Sequence, residues 1–351
     1  MGLIKVIMYD SKPYDIESFN TVLEKINHEE NKISFTYLET KLNKHTAILA
    51  KGYDVVCVFV NDTVDKDVID ILYENNIKVI ALRCAGYNNV DVEYCFNKIH
   101  VLRVPSYSPN AVAEHTFAML LTSIRRIHKA YIRTKDNNFS LSGLVGEDLF
   151  NKTIGIIGTG KIGKCMINIA RGFGMNIKAY DKFIDPNLDV NYCSLEEIYK
   201  TCDIISLHCP LTNENRHMIN KNTIDMMKKG VIILNTSRGG LINSNDLLEG
   251  IKSRKIGAAC LDVYEEESDI FFTDKSGHIL NDDTLARLIT MPNVILTSHQ
   301  AYLTKEALNN IANTTIENIL NYQSVSTSQN EICYHCGNIE NCKKNKKLKC
   351  F

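Results

Sequence analysis

Three ionisable residues in the second half of the chain could carry chemistry. Arg238 follows the apolar run Val231-Ile-Ile-Leu234, Glu267 follows Ala258-Ala-Cys-Leu261, and His299 follows Val294-Ile-Leu296. Each stands just past a predicted β-strand. In a parallel sheet the strand ends gather along one edge, so this placement lets the three converge. Arginine offers a planar fork that binds a carboxylate and polarises a neighbouring carbonyl. Histidine titrates near neutrality and suits proton transfer. A carboxylate beside it favours the imidazolium. Together they suit reduction of a carbonyl that carries a carboxylate, with histidine giving the proton. Each residue also has a plainer reading. The histidine could cap a strand, the arginine could be a solvated loop charge, and Glu267 lies in an acidic run, Glu265-Glu-Glu-Ser-Asp269, that could be a wet loop. Spacing alone leaves these open.

Such a reduction needs a hydride donor, and the chain has a place for one. Thr153-Ile-Gly-Ile-Ile-Gly-Thr-Gly-Lys-Ile-Gly163 reads as a buried strand, a glycine turn and the start of a helix. Gly158, Gly160 and Gly163 fit G-x-G-x-x-G. The first permits the tight turn, the second lets a pyrophosphate approach bare backbone, and the third allows close helix packing. The helix N-terminus offers unpaired N–H groups to phosphate. After the next apolar run, 176–180, comes Asp181. A carboxylate there accepts from an adenosine ribose and repels a 2′-phosphate, which favours NAD over NADP.

The elements that must position these residues form two α/β series. Strands are predicted at 3–8, 33–38, 54–60, 77–81 and 99–104, and again at 153–157, 176–180, 203–207, 231–234, 256–260 and 294–297, with helices between. Asn110 reads as the N-cap of a long helix from Ala111 to about Tyr131, and a final helix runs from about Thr304 to Tyr322. The expected fold class is α/β, with two Rossmann- or flavodoxin-like domains whose parallel sheets are separated by an active-site cleft. No repeat of short period is visible.

Composition narrows the classes further. The chain has 351 residues, enough for two domains, and 40 basic against 41 acidic side chains. Such a balance gives no field for nucleic acid and no charge excess that points to disorder. No apolar run approaches the length of a membrane span, and the first residues lack the apolar length expected of a signal peptide. A soluble, cytoplasmic protein is expected, with no membrane or nucleic-acid partner. Most of the 12 cysteines are scattered, several in apolar strands, and read as buried free thiols. His208 and Cys209 resemble a metal or thiol–imidazole pair, but their place at a strand end favours packing against the dinucleotide.

Further stretches carry a resemblance. Thr236-Ser-Arg-Gly-Gly240, Leu261-Asp-Val-Tyr-Glu-Glu-Glu267 and Ser298-His-Gln-Ala301 lie behind the glycine motif. With them go Leu82–Asp91, Val104–His115, Ile205–Thr212 and Asp269-Ile-Phe-Phe-Thr-Asp-Lys-Ser276. Together they resemble the D-isomer-specific 2-hydroxyacid dehydrogenases, and within them the fermentative NAD-dependent D-lactate dehydrogenases of bacteria. The 269–276 stretch is an insertion that phosphoglycerate and glyoxylate relatives lack. The resemblance covers about residues 3–323. It implies a discontinuous substrate domain, 1–103 with 300–330, around an NAD domain, 104–299, followed by a tail, 331–351. It implies pyruvate reduction to D-lactate, with His299 as proton donor, Glu267 as its partner and Arg238 as the substrate clamp.

The same resemblance places the N–H groups of Ala85 and Gly86 on the substrate carboxylate, helped by Tyr107. Tyr302 stands where the family usually has Phe, which leaves side-chain preference open between pyruvate and bulkier 2-oxo acids. Lys161 and Ile162 fall by the pyrophosphate, while Cys209, Pro210 and Asn215 line the NAD groove. Thr236 and Asp262 lie toward the nicotinamide, with Asp262 accepting from its amide, and Ser237 and Arg238 are also among the implied cofactor contacts. Relatives form dimers or tetramers, so a homo-oligomer is expected, with the 111–130 helix as a candidate contact. A non-catalytic NAD-sensing scaffold of the same fold keeps the same three ionisable residues and stays a rival.

The tail departs from the family. Ser324–Asn330 reads as a flexible linker. Cys333, Cys336, Cys342 and Cys350 follow, with His335 and a run of lysines. Four thiolates could surround one metal ion, but the C-x2-C-x5-C-x7-C spacing matches no standard zinc pattern, and no metal is assigned.

Overall fold

A computed structural model describes residues 2–26, 33–267, 270–323 and 330–334. The chain divides into two compact units, Met1–Ser108 with Leu303–Phe351, and Pro109–Tyr302. The boundaries therefore fall a few residues inside the expected NAD domain at its start and beyond it at its end. The 104–108 segment belongs to the first unit, and residues 300–302 to the second.

The first unit runs β1 (Ile4–Met8), α1 (Pro13–Ile26), β2 (Ile33–Tyr37), β3 (Val55–Val58), α2 (Lys66–Glu74), β4 (Val79–Leu82), α3 (Val92–Cys95) and β5 (His100–Arg103). Its sheet is parallel, in the order β2-β1-β3-β4-β5. Strands β3 and β4 are buried at every position. Continuous β-branched and aliphatic runs of this kind fit interior strands covered on both faces. Asp65 and Asp91 cap α2 and α3 by accepting from Val68 N–H and Tyr94 N–H.

The second unit holds α4 (Pro109–Ile124), α5 (Ile127–Lys135), β6 (Thr153–Ile157), α6 (Lys161–Gly172), β7 (Asn176–Tyr180), β8 (Asn191–Tyr192), α7 (Leu195–Thr201) and β9 (Ile204–Leu207). It continues through α8 (Lys221–Met226), β10 (Val231–Asn235), α9 (Ser244–Lys252), β11 (Ile256–Leu261), α10 (Asp283–Thr290) and β12 (Val294–Leu296). The parallel sheet has the order β12-β11-β10-β9-β6-β7-β8, the doubly wound arrangement with its switch between β9 and β6. The chain then returns to the first unit as α11 (Lys305–Gln323).

Two readings change. The helix expected from Ala111 to Tyr131 is broken, because Arg126 takes a left-handed conformation at φ 53° between α4 and α5. Its start also shifts: Pro109 is the first helical residue, a position where its missing N–H costs nothing, so Asn110 is inside the helix and not the cap. Helix α4 buries Val112, Phe117, Met119 and Leu120. Each such side chain contributes about 1.5–3 kcal/mol on burial. That weight keeps α4 inside the second unit, packed on α6.

The tail reading changes as well. Residues 331–334, expected as part of a separate tail, lie on the first unit's sheet. Glu331 pairs antiparallel with Leu102, and Ile332 N–H donates to Val101 O at 2.9 Å. Strand β5 is the sheet edge and has backbone groups to satisfy, which Asn330–Tyr334 supplies. The rest of the expected linker, 324–329, lies outside the described residues.

Candidate active site

The second unit's strand order sorts the site residues. Reading across the sheet, His299 follows β12, Glu267 follows β11 and Arg238 follows β10. His208 and Cys209 follow β9, Gly158 follows β6 and Asp181 follows β7. Arg238, Glu267 and His299 thus follow the three strands at one side of the sheet, and the glycine fingerprint and Asp181 lie toward the other.

His299 and Glu267 meet. Imidazole Nδ1 lies 2.8 Å from Glu267 Oε1, while Glu267 Oε2 accepts from Tyr264 N–H at 3.0 Å. Tyr264 is held in turn by donating its hydroxyl to Asp282 at 2.8 Å. With Nδ1 on the carboxylate, Nε2 is the nitrogen left for proton exchange. The Phe272 ring packs on the imidazole at 5.8 Å between centroids. Phe272 belongs to the subfamily insertion, of which Asp269 lies outside the described residues.

The loop bearing His299 is pinned by a residue assigned to the cofactor from sequence. His299 itself is left-handed, at φ 55°, a conformation that needs its surroundings to hold it. Asp262 does so from several sides. Its carbonyl accepts from His299 N–H at 2.7 Å, and its carboxylate accepts from Gln300 N–H, Ala301 N–H and the Thr297 hydroxyl. His115 on α4 adds a nitrogen 3.5 Å from the same carboxylate. Burial alone would push the Asp262 carboxyl up; the donors from His115, Thr297, Ala301 and Gln300 outweigh it and hold it below the usual carboxylate value. Oδ2 takes only the Ala301 N–H among the described contacts, and keeps capacity for a second donor.

Arg238 stands apart from the His–Glu pair. Its guanidinium turns back to donate to Ser237 O at 2.7 Å, and Asn235 Nδ2 donates to Arg238 O at 2.9 Å. The following Gly239 brings this loop beside the acid loop, since a Cβ there would lie 2.1 Å from the Tyr264 carbonyl. Arg238 and Glu267 thus sit on touching loops. Of the acidic run, Glu265 is also paired, accepting from Arg216 and from His217 at 2.6 Å each. Thr236 is buried and shares a hydrogen bond with Thr116 at 2.8 Å.

The other half of the edge fits a dinucleotide. Gly158 has φ 99°, and a Cβ there would lie 2.6 Å from the His208 carbonyl carbon. A Cβ on Gly163 would lie 2.0 Å from Gly158 O. At Gly160 a Cβ would meet nothing within 4 Å, so the space a pyrophosphate requires is open at the start of α6, beside Lys161 and Ile162. Asp181 accepts from Thr159 N–H at 2.6 Å and from Phe183 N–H at 2.9 Å, which fixes its carboxylate at the turn. Next to it lies a largely apolar cavity of about 350 Å³, lined by Tyr180, Asp181, Cys209, Pro210, Asn215 and Met218 among others. Asn215 shapes it by donating to Pro210 O at 2.7 Å. Ser237 ties β10 to β9 by donating to Cys209 O at 2.7 Å. Burial pushes the Cys209 thiol up to about 11 and His208 down to about 3; both stay neutral, and a thiol that keeps its proton suits packing better than metal binding.

In the first unit, Ala85 and Gly86 follow β4 in an irregular loop. Neither N–H donates a hydrogen bond among the described residues. Tyr107 O accepts from Asn310 Nδ2 at 2.7 Å. Tyr302, the last residue of the second unit, is buried. Of the tail thiols, Cys333 is exposed, and Cys336, Cys342 and Cys350 lie outside the described residues. No cluster of potential metal ligands occurs among the described residues, and no helix there is long and apolar enough to cross a membrane.

Comparison with known proteins agrees with this anatomy. Residues 117–301 match the model of the D-isomer specific 2-hydroxyacid dehydrogenase NAD binding domain. The chain is 45% identical to D-lactate dehydrogenase of Escherichia coli over 333 residues, covering 94% of this chain and 100% of that one. It is 46% identical to a 2-hydroxyacid dehydrogenase homolog of Haemophilus influenzae, covering 93% and 98%. The apo structure of the Escherichia coli enzyme superposes with a TM-score of 0.85 over 94% of this chain and 100% of that one, at 43% identity. The protein belongs to the D-isomer specific 2-hydroxyacid dehydrogenase family and is an NAD-binding oxidoreductase of 2-hydroxy acids.

Proposed function

We propose that the protein is a D-lactate dehydrogenase, interconverting pyruvate and D-lactate. The observation that carries this reading is the His299–Glu267 pair, with Glu267 locked by Tyr264 N–H at the carboxyl edge of the NAD-binding sheet. Bound NADH supplies the hydride. His299 gives a proton from Nε2 to the substrate oxygen, and Glu267 stabilises the imidazolium before that transfer. Arg238 binds the substrate carboxylate and polarises the carbonyl. The N–H groups of Ala85 and Gly86 hold the carboxylate, and Tyr107 adds a hydroxyl. Tyr302 faces the substrate methyl.

Gly160 and Lys161 take the pyrophosphate, Asp181 the adenosine ribose, and Asp262 Oδ2 the carboxamide. Similarity to the Escherichia coli D-lactate dehydrogenase over its whole length supports pyruvate as substrate. The test is NADH oxidation over a panel of pyruvate, hydroxypyruvate, phenylpyruvate and 2-oxoisocaproate, with chiral analysis of the product. A large preference for phenylpyruvate, or an L product, defeats the assignment. No turnover with any of them leaves a cofactor-sensing scaffold.

A homodimer or homotetramer is proposed as the working form. Its support is the apolar surface on α5 and the segment after it, where Tyr131, Ile132, Phe139, Leu141 and Val145 are exposed. Patches of this kind mark contact sites more often than free surface. Sedimentation of the purified protein measures the subunit number.

A further inference from the structure

We propose that Arg103, at the end of β5, is the positioning residue of the carboxylate-binding loop: it turns and charges the Ala85–Gly86 peptide so that its N–H receives the substrate. The inference rests on the reading that Ala85 and Gly86 take the carboxylate.

The geometry is a matter of peptide planes. In a trans peptide the C=O of one residue and the N–H of the next point in opposite directions. No cis bond occurs among the described residues. Cys84 O accepts from Val104 N–H at 3.2 Å, which turns Ala85 N–H away from β5. Ala85 O accepts from Arg103 NH1 at 3.0 Å, which turns Gly86 N–H away from that guanidinium. Two consecutive residues at the end of β5 thus hold two consecutive carbonyls. The two N–H groups are left pointing away from the donors that hold those carbonyls, without a partner among the described residues.

Arg103 adds charge to this geometry. No carboxylate pairs with its guanidinium among the described residues, and the guanidinium carbon lies 5.2 Å from the centre of the Tyr87 ring. A cation on a carbonyl oxygen polarises the whole amide and strengthens its N–H as a donor. An unneutralised positive charge one peptide away also favours an anion at that N–H. A neutral side chain could hold the carbonyl but could not supply this.

The backbone of Arg103 is itself secured. Its N–H donates to Asn330 O at 3.1 Å, and its carbonyl accepts from Asn318 Nδ2 at 2.9 Å. Asn330 Nδ2 closes the loop by donating to Asn318 Oδ1 at 2.8 Å. The C-terminal segment and α11 therefore fix the strand end that fixes the substrate loop.

The carboxylate is present equally in substrate and transition state, so the loss should fall on KM and not on kcat. In the full-length holoenzyme, Arg103→Met should raise KM for pyruvate, and the inhibition constant of the pyruvate mimic oxamate, by about tenfold, as expected on losing one charge-assisted hydrogen bond. The kcat and KM for NADH should stay within about twofold, and Arg103→Lys should recover part of the loss. An unchanged KM and oxamate constant in Arg103→Met overturns the proposal. So does a fall in kcat with KM unchanged. Should Arg103→Met fail to fold, Arg103→Gln, which keeps a donor and loses the charge, carries the same comparison. Gly86→Pro, which removes the N–H, tests the underlying reading separately. Oxamate binding unchanged in Gly86→Pro removes that reading. Binding weakened in Gly86→Pro but not in the Arg103 variants removes the proposal alone.

Discussion

Glu267 contacts His299 through one carboxylate oxygen and the backbone of Tyr264 through the other, at 2.8 and 3.0 Å. Both oxygens of the acid are therefore fixed in direction. Its backbone anchor also explains why a glutamate in an acidic run is not simply solvated.

Replacing the two partners should separate their contributions. His299→Ala should lower kcat for pyruvate reduction on the order of a thousandfold, the usual worth of a positioned acid. Glu267→Gln keeps a hydrogen-bond acceptor for Nδ1 but loses the charge that favours the imidazolium. Its rate should fall by less than that of His299→Ala. Steady-state rates check both. A Glu267→Gln rate equal to the wild type's would leave the carboxylate charge without a role.

The glycine fingerprint offers a contrast between fold and cofactor. Gly160→Ala adds a methyl where nothing lies within 4 Å, at an ordinary negative φ, so thermal stability should hold while NADH affinity drops. Gly163→Ala drives a methyl against backbone at 2.0 Å, and that backbone belongs to the tight turn at Gly158. It should cost about 1–3 kcal/mol of stability before any effect on binding is seen. Melting curves with and without NADH distinguish the two. Equal melting temperatures for both variants would contradict the packing described.

Asp181 should set the choice of cofactor. Asp181→Ser removes the charge that repels a 2′-phosphate, so the ratio of kcat/KM for NADH over NADPH should fall by about tenfold or more. Because Asp181 also receives Thr159 N–H, some loss with NADH itself is expected. An unaltered ratio would mean that discrimination lies elsewhere.

These residues differ in how far the chain alone reveals them. The glycine turn and the place of Asp181 after β7 were legible because they depend on local order: strand, turn, helix, strand. Arg238, Glu267 and His299 were legible as strand ends, but spacing could not show that two of them touch while the third turns back on Ser237. His115 escaped notice because a histidine on an apolar helix looks like an ordinary half-buried residue; its link to Asp262 spans most of the second unit. The break between α4 and α5 has no glycine or proline to mark it, since Arg126 itself takes the left-handed turn. Asn330–Tyr334 is too short to show a period, and only the open edge of β5 gives it a partner.

Acid should test the packing beside the cofactor cavity. His208 keeps some exposed surface, yet its Nε2 lies 2.7 Å from the fully buried Ser206 hydroxyl. Burial pushes it down to about 3. The unfolded imidazole titrates near about 6.5. Between these values the unfolded chain binds the proton and the folded one does not. Stability from this site is therefore complete above about pH 6.5 and declines as pH falls toward 3. Urea midpoints measured at neutral and at mildly acidic pH should fall more in wild type than in His208→Asn. Parallel declines would show that this imidazole takes its proton as readily folded as unfolded.

The C-terminal segment should contribute stability to the first unit. His100 Nδ1 lies 2.6 Å from Glu331 Oε1, and both side chains are at most 5% exposed. The Tyr322 ring packs on the imidazole at 4.9 Å, and Tyr334 reaches back to accept from Val101 N–H at 2.7 Å. Removing one member of a buried pair leaves the other without compensation, at about 3 kcal/mol. Glu331→Ala should therefore lower the unfolding free energy by about that amount, while the exposed Cys333→Ser should change it by less than about 0.5 kcal/mol. Denaturant unfolding of the full chain measures both. Glu331→Ala with wild-type stability would mean that the segment rests on β5 without holding it.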